Sequence, residues 1–406
     1  MFKNIGWLFF ANLFAQVLQL VTQPILTRYF SPADFNFMGQ IISLATVFVI
    51  TGNLQLHNCL AISKNAEDRE DILSSGLGWL TCFSFLVIII AAIIPKAFAE
   101  NNFSLEKAVY LGIMVWILGT ANLTLGYYSG ESDFRQAGYF SIKRAFLISS
   151  MQLAMALKPI GNGLILGIIC GELTLRVTSV KIIKKLSLKS WHEKLKLNLK
   201  KYHDFTLFGT LQEFVSVFVL MLPLFSFGHL HGDEIGGNYV FAYRMTWAPG
   251  MLVAASISPI ILRHLSSSNK DIAHYSDFRL IFEFLLIFPV GVLCFNYLLV
   301  PIIDWWLASG WNIAVEMMAP LSLWVAAYLS ALKTRQLYRV HRLQKWQLLI
   351  DAFMASSMAV IFFILKFDLK TLVVASSSIG VLQNFLIVVV FTAISKSRKN
   401  RSLKKI

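Results

Sequence analysis

The chain has 406 residues, of which 56 % are hydrophobic and only 14 % are charged. This balance excludes a soluble globular protein and indicates one that works within a lipid bilayer. The net charge of +14 would also suit a nucleic-acid-binding protein. Because the basic residues are spread over many short segments rather than gathered in one module, nucleic acid is set aside as a partner.

Apolar runs recur along the whole chain, and each is long enough to cross about 30 Å of hydrocarbon as a helix. They predict an all-α polytopic membrane protein with about twelve transmembrane helices. The predicted segments are 5–29, 37–62, 72–95, 108–129, 141–157, 161–183, 205–227, 238–262, 278–300, 314–333, 347–365 and 370–394.

Lysine and arginine are dense in alternate gaps between these segments. Of the 36 basic residues, 28 lie on the side that holds both termini, six lie on the other side, and Arg176 and Arg244 lie inside predicted helices. Since cytoplasmic loops carry the positive excess, both termini are expected in the cytoplasm. The predicted location is the bacterial inner (cytoplasmic) membrane, as a multi-pass protein.

The first predicted helix carries a stripe of amides. Asn12, Gln16, Gln19 and Gln23 are spaced i, i+4, i+7 and i+11, so they share one face of a helix. Arg28 follows near the outer end of the same segment, where it suits either a substrate contact or an anchor at the membrane interface.

The second predicted helix repeats the pattern. Its polar positions are Gln40, Ser43, Thr51, Gln55 and Asn58. Single amides commonly join helices in lipid, but this number in two neighbouring helices exceeds what helix contacts require. We therefore expect the stripe of the first helix, with Gln55 and Asn58 of the second, to line a water-filled path that accepts sugars.

The longest polar interruption, 184–204, separates six predicted helices from six. It predicts a six-helix lobe over 1–183, a basic cytoplasmic linker over 184–204, a second six-helix lobe over 205–394 and a basic cytoplasmic tail over 395–406. The Lys-Leu alternation of the linker suits an interfacial helix or an extended stretch, with leucines and Trp191 on the membrane. Its lysines either bind anionic lipid head groups or only give this segment the positive charge that is usual for a cytoplasmic linker.

The two predicted lobes resemble each other at their first outer turns. Pro24 precedes an acidic turn over 31–36, and Pro223 precedes one over 231–237. Asn36 and Gly236 tolerate positive φ, so we expect them to turn the chain. Repeats of this kind are typical of transporters, with the substrate path at the repeat interface.

Ionisable residues inside predicted helices are costly and therefore informative. Arg244 lies six residues into the eighth segment, where it suits a substrate-binding cation or an anchor at the outer interface. Glu172 and Arg176 are spaced i, i+4 and predict a structural ion pair.

Three further carboxylates lie near the cytoplasmic ends of their segments without an evident partner: Glu213, Glu283 and Asp351. Each is a candidate for coupling transport to a proton or sodium gradient, because desolvation is able to raise a carboxyl pKa.

No enzyme motif and no cofactor-binding motif is recognised, and no metal site is predicted. His229 and His231 are interpreted as residues of a short solvated loop. Trp305, Trp306 and Trp311 are interpreted as an interface belt. The four cysteines are scattered singly and predict no disulfide framework.

Two stretches resemble a known family. GNYVFAYRMTWAPGMLVAASISPIILRHL (237–265) is similar to the eighth helix of the multidrug/oligosaccharidyl-lipid/polysaccharide exporter superfamily. With TQPILTRYFSPADF (22–35) it resembles most the polysaccharide, or O-antigen, flippase branch. The resemblance implies two six-helix lobes around a V-shaped central cavity that opens alternately to each side.

The same resemblance implies a substrate: an undecaprenyl-diphosphate-linked oligosaccharide repeat unit, moved to the periplasmic leaflet. It implies no enzymatic activity, and partners among membrane lipids and other polysaccharide-assembly proteins. Arg244 matches a cavity arginine of the family, whereas Asn36 stands where such chains commonly have glycine. A drug or cation antiporter of the same superfamily remains an alternative, as does an integral-membrane glycan polymerase or acyltransferase, although the longest outer loop, 301–313, is short for an enzyme.

Overall fold

The structure is a computed structural model that describes residues 2–63, 65–93, 105–157, 162–178, 190–267, 278–308, 310–341, 343–365 and 367–403. Every regular element within these ranges is helical. The predicted all-α architecture is thereby confirmed. Residues 184–189 of the predicted linker and 404–406 of the predicted tail lie outside these ranges.

The chain divides into two compact units, Met1–Phe225 and Ser226–Ile406. The division falls inside a helix, about twenty residues beyond the basic segment that the sequence analysis takes as the linker. The described helices that begin in the first unit are α1 (Phe2–Leu26), α2 (Pro32–Asn53), α3 (Leu56–Ile62), α4 (Ala66–Ile93), α5 (Leu105–Gly130), α6 (Phe134–Leu157), α7 (Gly163–Thr178), α8 (Trp191–Lys201) and α9 (Thr210–His231), which a π-helical turn, Asp204–Gly209, precedes.

The second unit is also helical throughout its described part. Its helices are α10 (Asp233–Ser267), α11 (Arg279–Cys294), α12 (Val300–Trp306), α13 (Asn312–Ser330), α14 (Leu332–Val340), α15 (Gln344–Phe363) and α16 (Leu369–Leu403). A π-helical turn, Phe295–Leu299, joins α11 to α12 without a break. A core cluster of this unit brings together residues of α11, α14 and α16, among others, and Leu337, Ile387 and Phe391 in it are completely buried.

In the part of the chain that the structure describes, each of the twelve predicted segments coincides with one or two helices. Within the described ranges, nine helical stretches are long and apolar enough to cross a membrane. The remaining three segments correspond to α6, α7 and α10. Helix α7 has only 16 described residues, and α6 carries Arg135, Lys143 and Arg144 in its first half. A multi-pass protein is confirmed, while the count of twelve stays a prediction.

The second predicted segment is not one continuous helix, and this part of the prediction is wrong. Helix α2 ends at Asn53, and Leu54 and Gln55 adopt left-handed conformations with φ of 46° and 58°. The Leu54 amide closes the helix by donating to the Ile50 carbonyl, and α3 then begins at Leu56. Left-handed backbone costs roughly 1–2 kcal/mol for residues with a Cβ, so the surrounding packing must hold this break in place.

The outer turns are formed differently from the prediction. Asn36 and Gly236 lie inside helices rather than at turns. The first turn is fixed by a capping box, in which the Asp34 amide donates to Ser31 Oγ and the Ser31 amide donates to Asp34 Oδ2. In the second, Gly232 supplies the left-handed residue, with φ of 90°.

The described part of the predicted linker is a helix docked on α4. Asn198 Nδ2 donates to Ser75 Oγ at 3.1 Å, and Lys201 Nζ and the Tyr202 hydroxyl contact the Asp68 carboxylate at 2.6 and 2.7 Å. The Trp191 ring covers Gly78, where a Cβ would lie 2.6 Å from it. The Trp191 ring thus packs against α4, and because the side chain is only half-buried, its predicted contact with the membrane stays a prediction.

The other side of α8 is exposed. Its central leucine, Leu197, is 68 % exposed, and Lys196 and Lys200 flank it. Leu195, on the docked side, is buried. The hydrogen bond to Asp68 raises the pKa of the Lys201 amine, so the clamp that Lys201 and Tyr202 form on Asp68 contains a charged amine at neutral pH.

Candidate functional site

The amide stripe of α1 and the most exposed side chains of α1 lie on different faces of this helix. Ala11, Ala15 and Thr22 are buried on the side toward α6, where Gly138 lets the two helices approach until a Cβ would be 2.9 Å from Ala11 Cβ. The most exposed apolar side chains are Phe10, Phe14 and Val17, at 64 %, 56 % and 51 %. At 100° per residue the amides fall on the other flank of the α6 contact.

The amides become more buried toward the outer end of α1. Asn12, Gln16 and Gln19 are half-buried, whereas Gln23 is only 3 % exposed. Gln23 Oε1 has no hydrogen-bond partner among the described residues. A buried acceptor without a partner costs about 1–3 kcal/mol, so this position is suited to a ligand or a water molecule.

Gln55 lies at the break between α2 and α3 and is 5 % exposed. Its Oε1 accepts a hydrogen bond from Asn58 Nδ2, and its side chain also meets Gly209, where a Cβ would lie 3.5 Å from Gln55 Cγ. The neighbouring Asn53 is completely buried, and neither amide atom has a partner among the described residues. The amide side chains of Asn53, Gln55 and Asn58 therefore all lie at or next to the break between α2 and α3.

Arg28 and Asn58 are the exposed members of the predicted set. Arg28 lies in the turn after α1, which ends at Leu26. Exposure at these two positions fits a contact with substrate and an anchor at the membrane interface equally well.

Arg244 lies in a tightly packed part of α10. Tyr239, Val240, Phe241 and Ala242 before it are at most 1 % exposed, while Arg244 itself is half-buried. A cation so placed reaches polar surroundings only through its long side chain.

An aromatic cluster adjoins Arg244, and the sequence analysis did not identify it. The Tyr243 ring stacks on Trp247 with centroids 5.6 Å apart, and Trp247 contacts Trp324 at 5.6 Å and Tyr328 at 5.5 Å. Trp247 Nε1 is buried and has no partner within the described chain. The i, i+4 spacing of Tyr243 and Trp247 was the only sign of this cluster in the sequence. Trp324 and Tyr328 of α13 are far from them along the chain, so their contacts with Trp247 could not be predicted from spacing.

The carboxylates differ in their surroundings. Asp351 is completely buried, and its Oδ1 accepts a hydrogen bond from Gln383 Nε2 at 2.7 Å. Beside Gln383, Asn384 Oδ1 accepts from Arg335 Nη2 at 2.9 Å, and the Arg335 guanidinium lies 5.1 Å from the Tyr328 ring centre. Asp351 thus belongs to a buried polar layer of the second unit.

Glu283 is not unpaired, and that part of the prediction is wrong. Lys333 Nζ lies 2.7 Å from Glu283 Oε2, and Arg279 Nε lies 3.0 Å from Oε1. Glu213 lies in the first turn of α9 and is half-buried. Of the three carboxylates, only Asp351 is fully removed from solvent.

The predicted ion pair of α7 is confirmed, with Arg176 Nη1 2.7 Å from Glu172 Oε2. Arg144 of α6 joins it, at 2.5 Å from Glu172 Oε1. The two histidines His229 and His231 lie in the last turn of α9 rather than in a loop. Within the described ranges, no group of three His, Cys, Asp or Glu side chains has a metal-site arrangement.

These features define an all-helical multi-pass membrane protein. The chain belongs to the family described as polysaccharide biosynthesis protein, whose profile matches residues 1–264. No curated protein sequence matches it.

Solved structures of flippases and transporters share the fold. The lipid II flippase MurJ in an inward closed conformation superposes with a TM-score of 0.68 at 16 % identity, over 96 % of this chain and 90 % of that one. An inward-facing multidrug resistance MATE family transporter of the MOP superfamily gives 0.66 at 15 % identity, over 96 % of both chains. A MOP superfamily transporter from Pyrococcus furiosus gives 0.61 at 14 % identity, over 98 % of this chain and 96 % of that one.

Proposed function

We propose that this protein is a flippase that moves an undecaprenyl-diphosphate-linked oligosaccharide, such as an O-antigen or other surface-polysaccharide repeat unit, across the bacterial inner membrane by alternating access. The family match supports a role in polysaccharide biosynthesis, and the flippase fold supports a lipid-linked substrate. The observation that carries the proposal is the stripe on α1: four amides without a carboxylate, on a flank away from the exposed apolar side chains.

The substrate has two polar parts with different needs. Its sugars require many hydrogen-bond donors and acceptors, which Gln16, Gln19, Gln23 and Gln55 provide through uncharged amides. Its diphosphate requires at least one cation, and we assign Arg244 to it, with Arg28 as the second candidate. The polyprenyl tail stays in lipid, because each buried CH₂ is worth about 0.8 kcal/mol.

A multidrug or cation antiporter is the second candidate function. The aromatic cluster of Tyr243, Trp247, Trp324 and Tyr328 favours it, since flat apolar cations bind to aromatic faces. The excess of amides and the cation at Arg244 favour the flippase. A glycan polymerase or acyltransferase is less favoured, because much of the longest outer loop is helix α12 and its neighbouring turn.

Transport by this route needs an energy source, and we propose that Asp351 couples it to a proton or sodium gradient. The Asp351 carboxylate is completely buried, and burial favours the uncharged form of a carboxyl group, so binding of a proton or a small cation there changes the charge of the buried polar layer. Glu213 is the next candidate. Glu283 is the weakest, since two basic side chains already compensate its charge.

Variants of Arg244 test the proposal in the bacterium that naturally carries this protein, with the displayed surface polysaccharide as the readout. Arg244→Ala is expected to abolish the displayed glycan at normal protein abundance, because a charge-assisted contact is lost. Arg244→Lys is expected to retain part of the display, since the charge remains without the bidentate fork. Full display with well-expressed Arg244→Ala would refute the role of Arg244. Normal display in a strain that lacks the protein, combined with lost drug resistance, would favour the antiporter.

A further inference from the structure

Two arginines share one glutamate in the first unit. Glu172 of α7 is completely buried, and its two carboxylate oxygens contact Arg144 Nε at 2.5 Å and Arg176 Nη1 at 2.7 Å. The cluster therefore carries a net charge of +1, between helices that are predicted to cross the membrane. An uncompensated charge in such a position costs several kcal/mol.

Arg176 is fully engaged within the protein. Its Nε donates to Thr120 Oγ1 at 2.8 Å, its Nη1 also donates to the Glu172 carbonyl at 2.8 Å, and its Nη2 donates to Thr120 Oγ1 and to the Ile117 carbonyl. Its guanidinium also lies 5.7 Å from the Trp116 ring centre. Arg176 thus has no capacity for a further ligand.

Arg144 is different. Only its Nε donates within the described residues, to Glu172, and its side chain is 27 % exposed. The two terminal nitrogens carry four N–H donors that nothing in the described chain accepts. They form an accessible fork with the geometry that carboxylates and phosphates match.

Close helix packing holds this fork in place. Gly163, Gly167 and Gly171 repeat every four residues along α7, as at small-residue helix contacts in membranes. A Cβ at Gly167 would lie 2.7 Å from Gln152 Cα, and one at Gly171 would lie 2.7 Å from Ile148 Cα. Because the backbones of α6 and α7 are in contact, the position of Glu172 relative to Arg144 is fixed, and the hydrogen bond to Nε holds the Arg144 guanidinium in place.

We propose that the terminal nitrogens of Arg144 bind a phosphate group of a membrane lipid. The phosphate would neutralise the +1 charge of the cluster and accept two parallel hydrogen bonds. By the predicted topology Arg144 lies in the cytoplasmic part of its helix, within reach of the inner leaflet. An anionic phospholipid and the diphosphate of a polyprenyl carrier offer the same chemistry, and only the carrier would connect this site with transport.

Binding of lipids to the purified full-length protein in detergent, followed by native mass spectrometry, tests this site without any transport measurement. The probes are phosphatidylglycerol, undecaprenyl diphosphate and a phosphate-free galactosyl diacylglycerol. Arg144→Gln is expected to weaken binding of a phosphate-bearing probe by about tenfold to a hundredfold, as for a lost charge-assisted hydrogen bond, and to leave the galactolipid unaffected. Loss with phosphatidylglycerol identifies a phospholipid site, and loss with undecaprenyl diphosphate alone identifies a carrier site.

The matched control is Arg135→Gln on the same helix. Arg135 is exposed, and its hydrogen bond goes to Tyr139 at 3.5 Å, so its removal is expected to change binding little. Equal affinity of wild type and Arg144→Gln for both phosphate-bearing probes would overturn the proposal. If Arg144→Gln does not fold, Arg144→Lys decides: it keeps the charge that pairs with Glu172 but lacks the terminal fork, so it is expected to bind the phosphate-bearing probes several-fold more weakly, and affinity equal to that of wild type would overturn the proposal.

Discussion

Replacement of Gly171 by alanine is expected to destabilise the first unit. The added Cβ would lie 2.7 Å from Ile148 Cα, 2.8 Å from Ile148 N and 2.9 Å from Leu147 C. All three are backbone atoms, so no side chain is able to move aside. Carbon atoms pack best at about 3.5–4.0 Å, and α6 and α7 must therefore separate by about 1 Å.

The magnitude follows from two effects. Overpacking of this kind costs about 1–3 kcal/mol, and separation of the helices also stretches the 2.5 Å contact between Arg144 and Glu172, where a charged hydrogen bond is worth about 1.5–3 kcal/mol. The higher helix propensity of alanine compared with glycine offsets at most about 1 kcal/mol of this loss. A net loss of about 2–4 kcal/mol is expected.

Thermal unfolding of the purified protein in detergent measures this loss, as a midpoint lowered by about 5–10 °C. Gly6→Ala is the matched control, because no atom lies within 4 Å of a Cβ there, and its midpoint should equal or slightly exceed that of wild type. A Gly171→Ala midpoint as high as that of Gly6→Ala would refute the inference that backbone contact holds these helices together.

Three further predictions concern other parts of the chain. Asp68→Ala removes the acceptor of Lys201 and Tyr202, so hydrogen exchange of the amides in α8 should accelerate about tenfold, and unchanged exchange would mean that the clamp is unnecessary. Asp351→Asn should remove the dependence of transport on an ion gradient while Glu283→Gln retains it; the reverse would assign coupling to Glu283. The cysteine of Lys201→Cys should react with an impermeant thiol reagent only from the cytoplasmic side, and labelling from the periplasm would overturn the predicted orientation.

Sequence patterns predicted the features that depend on local spacing. The stripe on α1 and the pair Glu172–Arg176 follow from 3.6 residues per turn, so the chain itself fixes which side chains share a face. The helical segments follow from the length of apolar runs.

The features that the sequence analysis missed depend on tertiary packing. Leu54 and Gln55 are not residue types that signal left-handed backbone, so the break between α2 and α3 is invisible without the neighbours that enforce it. Arg144 meets Glu172 across 28 positions and Arg335 meets Asn384 across 49, and no local period links such pairs. Glu283 is a different case: its partner Arg279 lies four residues earlier, so helical spacing signalled that pair, and only the contact with Lys333, 50 positions away, depends on tertiary packing.

The central claim is that the protein moves a lipid-linked oligosaccharide across a bilayer. Its most direct test is reconstitution of the purified protein into liposomes that carry an undecaprenyl-diphosphate oligosaccharide, with the outward-facing sugar measured by a membrane-impermeant lectin. Wild type should expose sugar from the inner leaflet, Arg244→Lys should do so more slowly, and Arg244→Ala should match protein-free liposomes. Sugar exposure by wild type no faster than in protein-free liposomes, under both a proton and a sodium gradient, would contradict the account.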